Sequence, residues 1–95
     1  MTKIYILIPI FNDWESVSKL IKEINLCIKD LEEEFSIMVV NDASNNQQNI
    51  NLENIDSLKN VIIVNMKNNR GHGRCIATGL KYIHEKHDYD YIIPM

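Results

Sequence analysis

Four short apolar runs, each rich in β-branched residues, are distributed along the 95 residues of this chain. The runs are residues 3–10, 35–40, 61–64 and 89–95. The first run is nearly all apolar, which is typical of a strand that is covered on both faces in a parallel sheet. Apolar side chains recur at helical spacing in residues 12–31 and again in residues 76–83. This alternation predicts an α/β fold in which right-handed crossovers connect parallel strands.

The helices flanking the predicted sheet differ in the strength of their signal. The segment between the second and third runs predicts a helix only weakly, because its apolar residues are few: Ile50, Ile55 and Leu58. The helix before the last run is clearer, and its Ala77 and Gly79 are small enough to pack closely on a sheet.

Composition excludes several classes of protein. The formal net charge is −3 and no basic face is apparent, so a nucleic-acid binder is not expected. The longest apolar run, residues 4–11, is far shorter than the roughly 20 residues of a membrane-spanning helix. Cys27 and Cys75 lack a C-x-x-C partner, which favours two reduced thiols in a cytoplasmic chain over a disulfide.

The loops after the strands carry the candidate binding residues, because ligands of parallel α/β sheets bind beyond the carboxyl ends of the strands. In residues 9–13 the ring of Phe11 can stack on a base, unless Phe11 packs in the core and Asn12 merely caps a helix. Asp42 directly follows the second run, where a carboxylate can accept a hydrogen bond from a base, unless it only shapes the turn.

The loop after the third run is the most informative local sequence. It contains the only two arginines of the chain, Arg70 and Arg74, around Gly71 and Gly73. Guanidinium groups suit phosphate, and glycines let backbone N–H groups approach an anion near a helix start. Diphosphate binding is the interpretation, and a glycine turn with two solvated arginines is the alternative. All three loops are expected to converge at one edge of the sheet.

Other familiar nucleotide-binding and metal-binding motifs do not match this sequence. The glycine loop has no third glycine at position 76, so it lacks the dinucleotide fingerprint. His84 and His87 are three residues apart, not the four of a zinc-protease helix. Asp88 and Asp90 resemble an acidic D-x-D motif but precede the predicted fourth strand, so they are expected in a solvated loop at the opposite edge of the sheet.

Four loop sequences, in chain order, read Ile-Leu-Ile-Pro-Ile-Phe-Asn-Asp, Val-Val-Asn-Asp-Ala-Ser, Asn-Arg-Gly-His-Gly-Arg and Asp-Tyr-Ile-Ile-Pro-Met. In this order the chain resembles glycosyltransferase family 2, whose members have the GT-A fold. The resemblance covers essentially all 95 residues. It implies a parallel Rossmann-like sheet forming the amino-terminal, nucleotide-sugar-binding half of a longer catalytic domain. The implied reaction is transfer of a sugar from a nucleoside diphosphate donor to an acceptor, by an inverting single displacement.

The resemblance also implies roles for residues that match the family's motifs. Pro9, Phe11 and Asp13 stand in the family's P-x-Y-N-E loop around the nucleoside, with Phe11 stacked on the base. Asp42 stands at the second acid of the D-D-x-S turn, which hydrogen-bonds the base, while Asn41 replaces the first acid. The matches to the N-x-G-x-G segment near the base and phosphates are Arg70, Gly71, Gly73 and Arg74, with Arg70 favoured as the diphosphate partner.

A cofactor and partners are implied in the same way. A divalent metal ion, Mg²⁺ or Mn²⁺, would be bound by a D-x-D motif beyond Met95, and the catalytic base would lie further on. No catalytic or metal-binding residue is therefore expected in residues 1–95, which alone should not turn over. The donor would be UDP- or GDP-linked, and the acceptor a polyprenyl phosphate, as in the branch that the loops resemble most, or a saccharide. The location would be cytoplasmic, with any membrane contact made by segments outside these residues.

Two other classes stay open at this point. An inactive nucleotide-sugar-binding or interaction module would keep the fold without the chemistry. A flavodoxin-like or receiver-type signalling domain shares the alternation of strands and helices. A receiver needs an acidic pair after the first strand and an aspartate after the third, where this chain has Asn12-Asp13 and Asn65.

Overall fold

The computed structural model describes residues 1–46, 48 and 50–95, and these residues form four strands and two helices. In chain order the elements are β1 (Lys3–Ile10), α1 (Trp14–Cys27), β2 (Glu34–Asn41), β3 (Asn60–Asn65), α2 (His72–Lys86) and β4 (Tyr91–Pro94). Neither helix in this part of the chain combines the length and the apolar character needed to cross a bilayer.

The four strands form one parallel sheet in the order β3-β2-β1-β4. β1 is central, as its apolar run predicted, and it pairs along its whole length with β2, from Lys3 beside Glu34 to Ile10 beside Asn41. Parallel neighbours require crossover connections, and α1 and α2 lie in two of them. The predicted α/β class with a parallel, Rossmann-like sheet and flanking helices is confirmed.

Alternate residues of β1 face opposite sides of the sheet, because side chains alternate along a strand. Ile8 lies in one apolar core with Ile21 of α1, and Leu7 lies in the other with Ile83 of α2. Leu7, Ile21 and Ile83 are completely buried. The two cores cover β1 on both faces, which explains why its sequence is a nearly unbroken apolar run.

The helix predicted around Ile50, Ile55 and Leu58 is wrong. The described residues between position 50 and β3 form turns, bends and irregular segments, although these three side chains do pack against the α1 core. The buried amide of Asn25 in α1 replaces the hydrogen bonds of a helix, since its Oδ1 accepts the N–H groups of Ser57 at 2.8 Å and Leu58 at 3.1 Å. Ser18 of α1 adds a bond, since its Oγ accepts the Asn51 N–H at 3.3 Å, so two side chains of α1 secure this irregular crossover.

Gly79 marks a close approach of α2 to β1. It is buried, and a Cβ atom added there would overlap the side chain of Leu7. The predicted close packing of Gly79 on the sheet is confirmed. Ala77 is exposed instead, so the same prediction for Ala77 is wrong. Of these two small residues, only Gly79 allows α2 to pack closely against the central strand β1.

Candidate functional site

The loops that follow β1, β2 and β3 meet at the carboxyl edge of the sheet. The N–H of Asp42 donates to the carbonyl of Ile10, and the N–H of Met66 donates to the carbonyl of Asn41, each over 2.8 Å. These bonds hold the starts of the three loops side by side. The predicted convergence of the three turns at one edge is therefore observed.

The carboxylate of Asp42 lies beneath the glycine loop. Its Oδ1 accepts the backbone N–H of Arg70 at 2.7 Å, and its Oδ2 accepts the backbone N–H of Gly71 at 2.9 Å. The Arg70 N–H is the main reason why the pKa of the Asp42 carboxyl lies below its ordinary value of 3.8. Burial opposes that lowering of the pKa, while the Gly71 N–H and the Cys75 thiol add to it. Asp42 is thus held as a carboxylate at neutral pH.

Cys75 is completely buried in the first turns of α2 and lies next to Asp42. Burial is the main cause that raises the pKa of its thiol to about 11, and the hydrogen bond and charge of Asp42 act in the same direction. The side chain is therefore a protonated thiol that donates to the carboxylate, and it is poorly suited to be a nucleophile.

A small cleft of about 110 Å³ opens between the loop after β1 and the start of α2. Its lining consists of Pro9, Ile10, Phe11, Asp42, His72 and Cys75. The side chain of Phe11 is 44% exposed, so it is not a core residue and its ring is available to a ligand. We call this space the first cleft.

A wider and more open cleft, of about 680 Å³, lies on the other side of Phe11 above the ends of β2 and β3. Half of its lining residues are asparagines, namely Asn41, Asn45, Asn65, Asn68 and Asn69. Asn41 fixes part of this wall, because its Nδ2 donates to Asn65 over 3.0 Å and its Oδ1 accepts the Ser44 N–H at 3.0 Å. This second cleft offers a dense set of uncharged hydrogen-bonding groups, with Lys67 as its one cation among the lining residues.

Asn12 connects the loop after β1 to the loop after β2. It adopts a left-handed backbone with φ of 62°, its N–H donates to Ser44 Oγ over 2.8 Å, and its Oδ1 accepts the Asn45 N–H at 2.7 Å. The residue at the cap of α1 is Asp13, whose side chain makes no capping hydrogen bond. The alternative that Asn12 merely caps a helix is therefore wrong, because Asn12 supports the neighbouring loop.

The structure brings some of the predicted site residues together and leaves others apart. Pro9, Phe11 and Asp42 line the first cleft, and the backbones of Arg70 and Gly71 bind Asp42. The rest are exposed around it: Asp13 at the start of α1, and Gly73 and Arg74 in the first turn of α2. Within the residues that the structure describes, neither guanidinium takes part in a salt bridge.

His72 and Cys75 also line the first cleft, although no role was predicted for them from the sequence. They are three residues apart, and residues at that spacing share one face of a helix. Because α2 begins at His72, directly after Gly71, this spacing was the available signal that both side chains face the same loop edge.

The acidic pair before β4, Asp88 and Asp90, lies at the edge of the sheet opposite the three loops, as predicted. Asp88 forms a salt bridge of 3.0 Å with Lys3, and Asp90 accepts the backbone N–H of Lys3 at 2.7 Å. Across residues 1–46, 48 and 50–95, no group of three or more His, Cys, Asp or Glu residues could hold a metal ion. The described residues therefore offer no ligand set that fits the divalent ion implied by the resemblance.

Comparison with known families adds one finding. The sequence model of glycosyl transferase family 2 matches residues 5–95. No match was found among curated proteins or among solved structures.

Proposed function

This chain belongs to glycosyl transferase family 2, and we propose that it is the nucleotide-sugar-binding part of a glycosyltransferase catalytic domain. The donor is a UDP- or GDP-linked sugar, and the acceptor is a polyprenyl phosphate or a saccharide. In the proposed reaction an acceptor oxygen bonds to the anomeric carbon while the bond to the nucleoside diphosphate breaks on the opposite face. The configuration at that carbon inverts in one displacement.

One observation carries this proposal: three separate loops form one site at the carboxyl edge of the sheet. Phe11 from the first loop and Asp42 from the second line the same cleft, and Asp42 binds the backbone of Arg70 and Gly71 in the third. Ligands of parallel α/β folds bind at this edge. We assign the nucleoside to the loop of Pro9, Phe11 and Asp13, with the base against the exposed ring of Phe11.

The start of α2 supports a diphosphate position. The first N–H groups of a helix lack partners within the helix and attract anions. Arg70 precedes this helix end and Arg74 lies in its first turn, and both side chains are exposed. A Cβ atom added at Gly73 would meet nothing within 4 Å, so the space beside this turn is open to a ligand. We assign the phosphates to Arg70, Gly71, Gly73 and Arg74, with Arg70 as the main cationic partner.

The remaining chemistry is proposed to come from residues beyond Met95. A D-x-D motif there would hold Mg²⁺ or Mn²⁺, and an acidic residue would deprotonate the acceptor. We propose a cytoplasmic location, because both cysteines are free thiols, which fits a reducing compartment. Membrane contact, if the acceptor is a polyprenyl phosphate, would come from segments outside these residues.

Titration calorimetry with UDP and with GDP tests the proposal. The chain should bind at least one of them, and Phe11→Ala should weaken binding by about 1 to 3 kcal/mol if the ring stacks on the base. Tyr91→Ala is the matched control, because Tyr91 is an aromatic residue that is 64% exposed at the amino end of β4.

The outcomes separate the alternatives. Failure of the unaltered chain to bind either nucleotide contradicts the proposed function. Equal affinities for the unaltered chain and Phe11→Ala contradict the stacking role alone. Nucleotide binding without sugar transfer by the full catalytic domain would identify an inactive binding module.

A further inference from the structure

The side-chain amide of Asn41 is shared between the loop after β2 and the end of β3. Its Oδ1 accepts the backbone N–H of Ser44 at 3.0 Å and also the Ser44 hydroxyl. Its Nδ2 donates to Asn65 Oδ1 over 3.0 Å. Asn41 and Asn65 are the last residues of β2 and β3, and they are paired in the register of the sheet. One amide therefore joins a turn to the neighbouring strand.

Backbone groups determine which way each of these side chains points. A backbone N–H can only donate, so the atom of Asn41 that meets the Ser44 N–H must be its oxygen, and its NH₂ must face Asn65. The Asn12 N–H likewise donates to Ser44 Oγ over 2.8 Å, which leaves the single hydroxyl proton of Ser44 for Asn41. The donors thus all point one way along this series of hydrogen bonds, from Asn12 to Asn65.

The series begins beside the aromatic residue of the site. The peptide unit between Phe11 and Asn12 is planar and rigid, so fixing the Asn12 N–H also fixes the Cα atom that carries the Phe11 ring. The Asn12 carbonyl is held as well, because the side chain of Asn46 donates to it over 2.9 Å. Asn12 has φ of 62° and Ala43, in the loop after β2, has φ of 56°, a region that residues with a Cβ rarely adopt. Backbones in this region need surrounding contacts to hold them.

We propose that Asn41 is a positioning residue for nucleotide binding, which sets the place of the Phe11 ring through Ser44 and Asn12. Phe11 borders both clefts and is 44% exposed, so packing in a core does not hold its ring. The stacked base in this inference rests on the proposed function. The series of hydrogen bonds rests on the geometry alone.

Asn41→Ala removes the acceptor that holds Ser44. In titration calorimetry the affinities for UDP and for GDP should both fall by about fivefold or more, because the ring that stacks on the base is no longer held in place. Asn60→Ala is the matched control, since Asn60 is an exposed asparagine at the amino end of β3, away from the three loops. Unchanged affinities in Asn41→Ala would overturn the proposal.

The combination with Phe11→Ala shows whether Asn41 acts through the ring. If it does, adding Asn41→Ala to Phe11→Ala should change neither affinity by more than about twofold, because no ring is left to position. Two residues that act independently would show the full loss from Asn41→Ala in both backgrounds. That second result would overturn the positioning role and leave Asn41 as a separate contact.

A second set of variants applies if Asn41→Ala folds poorly. In Asn41→Asp the carboxylate still accepts from Ser44, and the exposed amide of Asn65 can rotate to donate to it. In Asn65→Asp the Asn41 amide still donates. The double variant has two carboxylates and no donor between them, so its affinity for each nucleotide should fall by more than the product of the two single effects. A loss equal to that product would overturn the proposal, because added negative charge alone would give it.

A ligand-free measurement separates this inference from the proposed function. The amide ¹H NMR signal of Asn12 should shift in Asn41→Ala and stay near its place in Asn41→Asp, which keeps the acceptor for Ser44. If the signal is the same in the unaltered chain and both variants, the positioning role fails even though nucleotides bind. If it shifts as expected but the unaltered chain binds neither nucleotide, the proposed function fails, and with it the ligand named here.

Discussion

The backbone N–H of Asn12 donates to the hydroxyl of Ser44 over 2.8 Å, and this bond joins the loops that follow the two central strands. The side chain of Asn46 adds a further link by donating to the Asn12 carbonyl over 2.9 Å. On the other side of the cleft, Asp42 binds the turn at Gly71. The three loops are therefore connected to each other before any ligand is present, which lowers the entropic cost of binding.

Ser44→Ala should lower the free energy of unfolding by about 1 to 2 kcal/mol, because the Asn12 N–H and the Asn41 side chain both lose a partner. Urea denaturation followed by circular dichroism measures this. Ser57→Ala is the control, since the Ser57 hydroxyl makes only a weak contact of 3.4 Å with Asp56. Equal losses in the two variants would show that the bond between the loops contributes nothing.

The two glycines within α2 should respond in opposite ways to alanine. Gly79→Ala forces a Cβ atom into Leu7, and overpacking of this kind costs about 1 to 3 kcal/mol. Gly73→Ala meets no neighbour, so the better helix propensity of alanine should stabilise the chain by about 0.5 to 1 kcal/mol. Thermal unfolding of both variants checks the sign of each change. A stabilised Gly79→Ala variant would contradict the close approach of α2 to β1.

Stability at acid pH should depend on Asp42. The Arg70 N–H, above all, makes the pKa of its carboxyl lower in the folded chain than in the unfolded chain. The stabilisation is therefore complete above the unfolded value of 3.8 and is lost as the pH falls through the lower folded value. The difference in free energy of unfolding between the unaltered chain and Asp42→Asn should shrink from about pH 5 to about pH 2. A difference that stays constant in urea titrations over this range would rule out the lowered pKa.

The two cysteines should differ sharply in reactivity. Cys27 is exposed, whereas Cys75 is completely buried and the pKa of its thiol is raised to about 11. Because the thiolate is the reactive form, iodoacetamide near neutral pH should modify one thiol in the folded chain and two in urea. Intact mass spectrometry counts the modifications. Cys27→Ser should show none while folded, and rapid labelling of Cys75 in that variant would contradict its burial.

The sequence predicted the features of this fold that depend on local periodicity. The apolar run of β1 indicated a central parallel strand because burial on both faces leaves no position for polar side chains. The helix around Ile55 was wrong because Asn25, some thirty residues earlier, satisfies the backbone of the turns, and a local pattern contains no information about that contact.

The candidate site was predictable in its location but not in its internal hydrogen bonds. Asp42 could be placed at the carboxyl edge because it directly follows a strand. Its partners are the backbone N–H groups of Arg70 and Gly71, which every residue type except proline carries, so no side-chain pattern indicated them. The hydrogen bond from the Cys75 thiol to Asp42 could not be predicted either, because it depends on how α2 packs against β2.

The central position of β1 also determines when the sheet can be completed during synthesis. Its second neighbour is β4, and the Lys3 N–H donates to Asp90, 87 positions further along. All residues up to the end of β4 must leave the ribosome before β1 acquires both neighbours. Until then one edge of β1 stays open to other extended segments, so the nascent chain would benefit from chaperone protection.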